Sequence, residues 1–163
     1  MERLILLRHG KAEAGSASGK DFDRALTGRG RRDSVLVAEA LARAGFSPDL
    51  VLVSPAARAD QTWQAAAPLF PNAQVQRVQA LYNAEPETIL AQAEARGFGL
   101  RTVMVTAHNP GLHQLAMTLA HRCGDGPERA RIYAGFPTGA AAAFDFETGC
   151  LVFLTPKALG GGA

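Results

Sequence analysis

Apolar residues along this chain come in two rhythms. Short runs bounded by turn-forming residues read as strands at Arg3–Leu7, Leu50–Val53, Val75–Val78, Thr102–Thr106, Ala140–Phe146 and Leu151–Leu154. Longer segments between them carry helical spacing. In Thr27–Ala44, Val37 and Leu41 stand four apart beside Val35, Ala38 and Ala42, which suits one buried face. Thr27 is placed to cap that helix, and Gly45 stands where it should stop. Three further helices are predicted at Pro55–Leu69, Pro86–Arg96 and Pro110–Ala120. Each begins with proline, whose fixed φ and missing N–H are tolerated at the first helical position. Phe144-Asp145-Phe146 leads through Glu147-Thr148-Gly149 into Leu151, which predicts a closing hairpin.

Strands alternating with helices and followed by a hairpin make a layered α/β domain with a mostly parallel sheet. No internal repeat or linker divides the chain, and 163 residues suit a single domain with a real core. Its expected bounds are 1–157, with 158–163 a flexible C-terminal tail frayed at Gly160–Gly162. At 47% hydrophobic and 20% charged, the chain is an ordinary globule and not a disordered segment. A formal charge of +2 is too small to argue for nucleic acid or a membrane surface. No stretch reaches the roughly 20 apolar residues of a membrane span. Met1–Leu7 is short for a signal-peptide core, and Arg8 interrupts it. Cys123 and Cys150 form neither a disulfide framework nor a metal-ligand spacing, so the expected compartment is the reducing cytoplasm.

Three strand ends carry the chemistry. The first strand stops at Arg8-His9-Gly10. The second stops at Ser54-Pro55, with Arg58 on the first turn of the next helix. The fourth stops at His108-Asn109-Pro110-Gly111. In open α/β sheets, ligands gather at the carboxyl edge, where strands hand over to helices. Helix N-termini present unpaired N–H groups and suit oxyanions, and an arginine fork holds two such oxygens at once. A lone histidine after a strand is usually structural, and a lone arginine is usually a surface partner. Two of each at corresponding junctions point instead to a phosphoryl group.

These residues carry a resemblance. Arg8-His9-Gly10, SPAARADQTW with Arg58, and TAHNPGL with His108 resemble the ordered motifs of the histidine phosphatase superfamily, the phosphoglycerate-mutase-like fold. DFDRALTGRGRRD and FPTGAAAAFDF narrow the resemblance to SixA-type phosphohistidine phosphatases, over Leu4 to Leu154. The resemblance implies a three-layer α/β/α domain with a mostly parallel six-stranded sheet, in which the first and fourth strands are neighbours. It implies that His9 attacks phosphorus and is transiently phosphorylated, while Arg8, Arg58 and His108 neutralise the phosphoryl oxygens. His9 must then present an unprotonated nitrogen, with the other one donating to a backbone carbonyl. Gly10 and Asn109 fall in the phosphate-binding motifs, and Gly10 is expected to keep a side chain out of the pocket wall.

The resemblance implies neither cofactor nor metal, and the sequence offers no ligand set for zinc or iron. Many superfamily members use a carboxylate as general acid. Glu85 in LYNAEPET is the nearest candidate, Glu87 is its neighbour, and either also serves as an acidic residue at a helix start. Arg24 either reaches substrate or pairs with Asp21 or Asp23. GSASGK, at 15–20, is one residue short between its glycines for a nucleotide P-loop, and Asp21 replaces the magnesium-binding hydroxyl. His113 and His121 lie outside the pattern, and Thr138-Gly139 is expected to shape the pocket. The leading expectation is a metal-independent phosphatase acting on phosphohistidine in a protein. The rivals are a small-molecule phosphomonoesterase of the same superfamily and a non-catalytic module that binds phosphorylated partners. The sequence leaves oligomeric state open.

Overall fold

The computed structural model describes residues 1–123 and 126–162. Along the chain run β1 (Arg3–Arg8), α1 (Gly28–Arg43), β2 (Leu50–Val53), α2 (Ala57–Ala66), β3 (Gln74–Arg77), α3 (Pro86–Arg96), β4 (Thr102–Ala107), α4 (Gly111–Arg122), α5 (Pro127–Ala134), β5 (Ala141–Asp145) and β6 (Leu151–Leu154). The strands form one sheet in the order β3-β2-β4-β1-β5-β6. The first four in that order are parallel, β5 runs antiparallel to β1, and β6 runs antiparallel to β5. The expected mostly parallel six-stranded sheet is therefore present.

Alternation along β1 divides the core. Leu4 and Leu6 join the cluster under α3, α4 and α5, whereas Ile5 and Leu7 join the cluster under α1 and α2. Helices thus cover both faces, giving three layers. Among the described residues, no helix is long and apolar enough to cross a membrane.

This topology creates the site. The chain leaving β1 turns to α1 on one face, and the chain leaving β4 turns to α4 on the other. A crevice opens at such a switch point. Register pairs Arg8 with Ala107, and pairs Val53 with Thr106. The residues that follow those strands, His9, His108 and Ser54, therefore stand side by side.

Helix α1 shows how local sequence sets the boundaries. Thr27 caps it, its hydroxyl accepting the Gly30 N–H at 2.9 Å. At the other end Gly45 takes φ 80°, and the N–H groups of Gly45 and Phe46 return to the carbonyls of Ala42 and Leu41. A residue with a Cβ strains that left-handed turn, so glycine ends the helix.

Several boundaries differ from expectation. Helix α2 starts at Ala57 with Ala56 as its cap, because the Ala59 and Asp60 N–H groups both turn back to the Ala56 carbonyl. Pro55 stands outside the helix, and Pro110 is itself the cap of α4. Of the three prolines expected at a first helical position, only Pro86 occupies one. Strand β3 lies one residue earlier than expected; it is a fully exposed edge, so no buried face fixes its register from sequence. Helix α5 was not expected at all; Ile132 is its one buried residue, too little to show periodicity. Residues 158–162, expected as a flexible tail, have anchoring contacts. Lys157–Leu159 form a 3-10 turn, Leu159 packs on the core, and the Gly162 N–H reaches Asp33 Oδ1 at 3.0 Å.

Candidate active site

His9 leaves β1 with its ring buried, and its Nδ1 lies 2.8 Å from the Gly10 carbonyl. A carbonyl only accepts, so Nδ1 carries the proton and Nε2 presents a lone pair. Arg58 Nε donates to that lone pair at 3.3 Å. Burial pushes the His9 pKa down to about 4; the Gly10 carbonyl opposes the shift, and the charges of Arg58, Arg8 and Arg24 add to it. At neutral pH the ring is uncharged, with its free nitrogen already defined.

His108 follows β4, with its ring centroid 5.1 Å from that of His9. Its Nε2 lies 2.7 Å from Ser54 Oγ, and Tyr82 packs edge-on against the ring. Burial, then the His9 and Arg58 charges, push its pKa down to about 3. When the Ser54 hydroxyl donates to Nε2, Nδ1 becomes the N–H donor. That nitrogen is buried with no partner among the described residues, as is Arg8 Nε. Buried polar atoms are rarely left this way, and both belong to residues that line the cavity described below.

The C-terminal FPTG segment holds this floor in place. The Phe136 carbonyl accepts from Arg8 Nη1 at 2.8 Å and from Asn109 Nδ2 at 3.0 Å. The Gly139 N–H donates to the His9 carbonyl at 2.9 Å. Burial, with the nearby Arg58 charge, lowers the pKa of Arg8, but a guanidinium starts so high that it stays charged.

Arg58 is buried near the start of α2. Its Nη1 donates to the Asp21 carbonyl at 2.7 Å and its Nη2 to Asp21 Oδ2 at 3.0 Å. Asp21 also accepts from the Tyr82 hydroxyl at 2.8 Å and from Arg24 Nε at 2.9 Å. The Tyr82 hydrogen bond above all, then those from Arg24 and Arg58, holds the Asp21 carboxyl down to about 2. One carboxylate thus aligns two guanidinium groups. Thr62 joins α2 to the strand end, since its hydroxyl donates to the Arg58 carbonyl at 2.7 Å and accepts the Gly10 N–H at 3.0 Å.

A cavity of about 260 Å³ gathers Arg8, His9, Lys11, Arg24, Arg58 and His108, with Asn83, Asn109 and Thr138 completing its polar wall. Four cations surround the neutral His9 ring and its free lone pair. That arrangement suits an anion whose central atom accepts an electron pair.

The candidates from sequence fall into four groups. His9, Arg8, Arg58, His108 and Asn109 come together. Arg24 is paired to Asp21, one of the two expected roles, and also lines the cavity. Glu85 is exposed as the cap residue of α3 and does not line the cavity. Gly10 is needed for a reason other than the one expected. A Cβ there would sit 2.6 Å from the Gly30 carbonyl, so glycine lets β1 meet the first turn of α1. Sequence reading missed the roles of Tyr82, Thr62 and Asp21. The one signal was Asp21 three residues before Arg24, a spacing that also suits an ordinary surface pair.

Comparison with known proteins agrees with this geometry. The family model of the histidine phosphatase superfamily (branch 1) matches residues 4–85. An uncharacterized Mycobacterium tuberculosis protein is 33% identical over 138 residues, covering 80% of this chain and 85% of that one. SixA from Agrobacterium tumefaciens is 32% identical with a TM-score of 0.81, over 95% of this chain and 99% of that one. The protein histidine phosphatase SixA complexed with tungstate is 27% identical with a TM-score of 0.76, over 96% and 99%. With the motif residues meeting in one cavity and the SixA fold reproduced across nearly the whole length, this chain belongs to the histidine phosphatase superfamily and is of the SixA type.

Proposed function

We propose that this phosphatase removes the phosphoryl group from phosphohistidine on a protein, through a covalent intermediate on His9 and without a metal. The observation that carries the reading is the fixed tautomer of His9. Its Nδ1–H is committed to the Gly10 carbonyl, and the opposite lone pair lies beside Arg58.

In the first step, His9 Nε2 attacks phosphorus in line as the bond to the substrate nitrogen breaks. The departing imidazole leaves neutral, its other nitrogen having taken a proton from solvent. Phosphorylated His9 keeps its Nδ1 proton against Gly10, so the ring is an imidazolium and a good leaving group. Water then attacks phosphorus and loses a proton to solvent, the P–Nε2 bond breaks, and neutral His9 returns. Arg8, Arg58, His108 and Lys11 offset charge on the phosphoryl oxygens; one well-placed donor of this kind contributes about 3–4 kcal/mol.

The ester-hydrolase alternative needs a proton for a departing alkoxide. Glu85 is exposed outside the cavity, and Asp21, with its low pKa, is ionised at neutral pH. Both observations favour an imidazole leaving group. The test offers a phosphohistidine protein and a panel of phosphoesters to one preparation, with EDTA present. The expected result is rapid phosphate release from the protein, unaffected by EDTA. Turnover confined to sugar or nucleotide esters would overturn the substrate, and loss of all activity in EDTA would overturn the metal-free chemistry.

A further inference from the structure

The catalytic cavity shares walls with two larger depressions. One, of about 770 Å³, has Arg8 and Asn109 in common with it and extends past Phe136 and Phe153 to Arg131 and Lys157. The other, of about 560 Å³, meets the catalytic cavity at Thr138, shares Lys157 with the first, and includes Arg29. The three share walls in turn, and together they make a trough that runs from His9 beside the Pro137-Thr138 stretch of the FPTG segment.

The trough carries one sign of charge. Among the described residues, no Asp or Glu lines any of its three parts, although the chain as a whole is only +2. Arg131 is held in place by Glu128 at 2.8 Å and lies over the Phe153 ring at 5.3 Å. The Lys157 side chain is exposed and makes no ion pair among the described residues. Size adds a second argument. Pockets that enclose a small ligand usually span ~300–1,000 Å³, so the catalytic cavity takes a phosphoryl group and little of what bears it. The rest of the substrate must lie in the trough, along a line of cations.

We propose that this trough docks an acidic polypeptide segment flanking the phosphorylated side chain, with Lys157 and Arg131 as its specificity-determining cations. The proposal rests on the phosphatase reading above and adds the substrate's charge and the surface that reads it. Such rim charges act on encounter and on salt dependence more than on chemistry.

The test uses three probes: phosphoramidate, a phosphohistidine peptide with Glu and Asp flanks, and one of equal length with Ser and Ala flanks. At low ionic strength the parent enzyme should show kcat/KM about tenfold higher on the acidic peptide. That preference should shrink in ~0.5 M salt, where screening reaches a few ångströms. Lys157→Glu should remove most of the preference through KM, with phosphoramidate turnover within twofold of the parent. Arg131→Gln should act in the same direction. Equal rates on the two peptides would overturn the proposal, as would a Lys157→Glu defect of the same size on phosphoramidate. Equal use of both peptides would thus refute docking and leave the phosphatase reading intact. Turnover of phosphoramidate with neither peptide used would refute docking and the polypeptide substrate together, leaving only the phosphoryl-transfer chemistry. Failure on all three probes would refute the phosphatase reading, and docking with it.

Discussion

Arg58→Lys keeps the charge and removes the geometry. The Arg58 guanidinium reaches three acceptors at once: His9 Nε2 at 3.3 Å, the Asp21 carbonyl at 2.7 Å and Asp21 Oδ2 at 3.0 Å. A lysine ammonium on a flexible stem reproduces one of these contacts and cannot hold two phosphoryl oxygens in a plane. The contact to the Asp21 carbonyl is charge-assisted and worth about 1.5–3 kcal/mol. The Asp21 carboxylate is half exposed, so its pair with Arg58 adds no more than about 1 kcal/mol. Stability should therefore fall by about 1–3 kcal/mol. The transition state loses more, since a misplaced oxyanion donor costs about 10²–10³ in rate. Initial rates of phosphate release beside a urea denaturation curve separate the two effects. The expected outcome is a kcat/KM at least about 100-fold below the parent in a protein that still folds. A kcat/KM within threefold of the parent at an unchanged midpoint would show that a point charge is enough, and the fork argument would fail.

Two other perturbations test the frame around His9. Gly10→Ala places a methyl group against the Gly30 carbonyl, so the strand end and α1 must separate. We expect a loss of about 1–3 kcal/mol and a fall in kcat of about 100-fold, because near-attack geometry tolerates little displacement; an unchanged midpoint and rate would contradict the close approach. Acid is the second perturbation. His9 and His108 have folded pKa values of about 4 and about 3, against 6.5 for an unburied ring. Between those limits the unfolded chain binds more protons, so their contribution is complete above pH 6.5 and is lost as pH falls through about 4 for His9 and about 3 for His108. These shifts correspond to at most on the order of 3 kcal/mol for His9 and 5 kcal/mol for His108. Urea midpoints should drop from pH 7 to pH 5, and a flat profile would mean the rings are not held neutral.

Much of this molecule was legible before any coordinates. Strands β1, β2 and β4 are short apolar runs with polar ends, so burial and the carboxyl-edge rule located Arg8, His9 and His108 together. Arg58 followed from its place one turn into a helix. What stayed hidden depends on partners distant in sequence. Asp21 becomes the aligner of Arg58 only when a 3-10 turn in the β1–α1 loop folds over α2. Tyr82 meets both Asp21 and His108 through a connection that carries no periodic signal. The role of Gly10 needed the position of Gly30 on α1, which no local pattern supplies. Helix α5 carries Arg131 of the trough, yet its single buried side chain gave too little contrast to be read.

The proposed mechanism requires phosphorus to become bonded to Nε2 of His9 during each turnover. Mixing enzyme with a phosphohistidine substrate, quenching in alkali within milliseconds and mapping the digest by mass spectrometry reads that bond directly. The expected result is one phosphoryl group on the peptide containing His9, labile to acid, lost on a chase with excess fresh substrate and missing from His9→Ala. Turnover with no adduct on His9, or an adduct on His108 in its place, would contradict it.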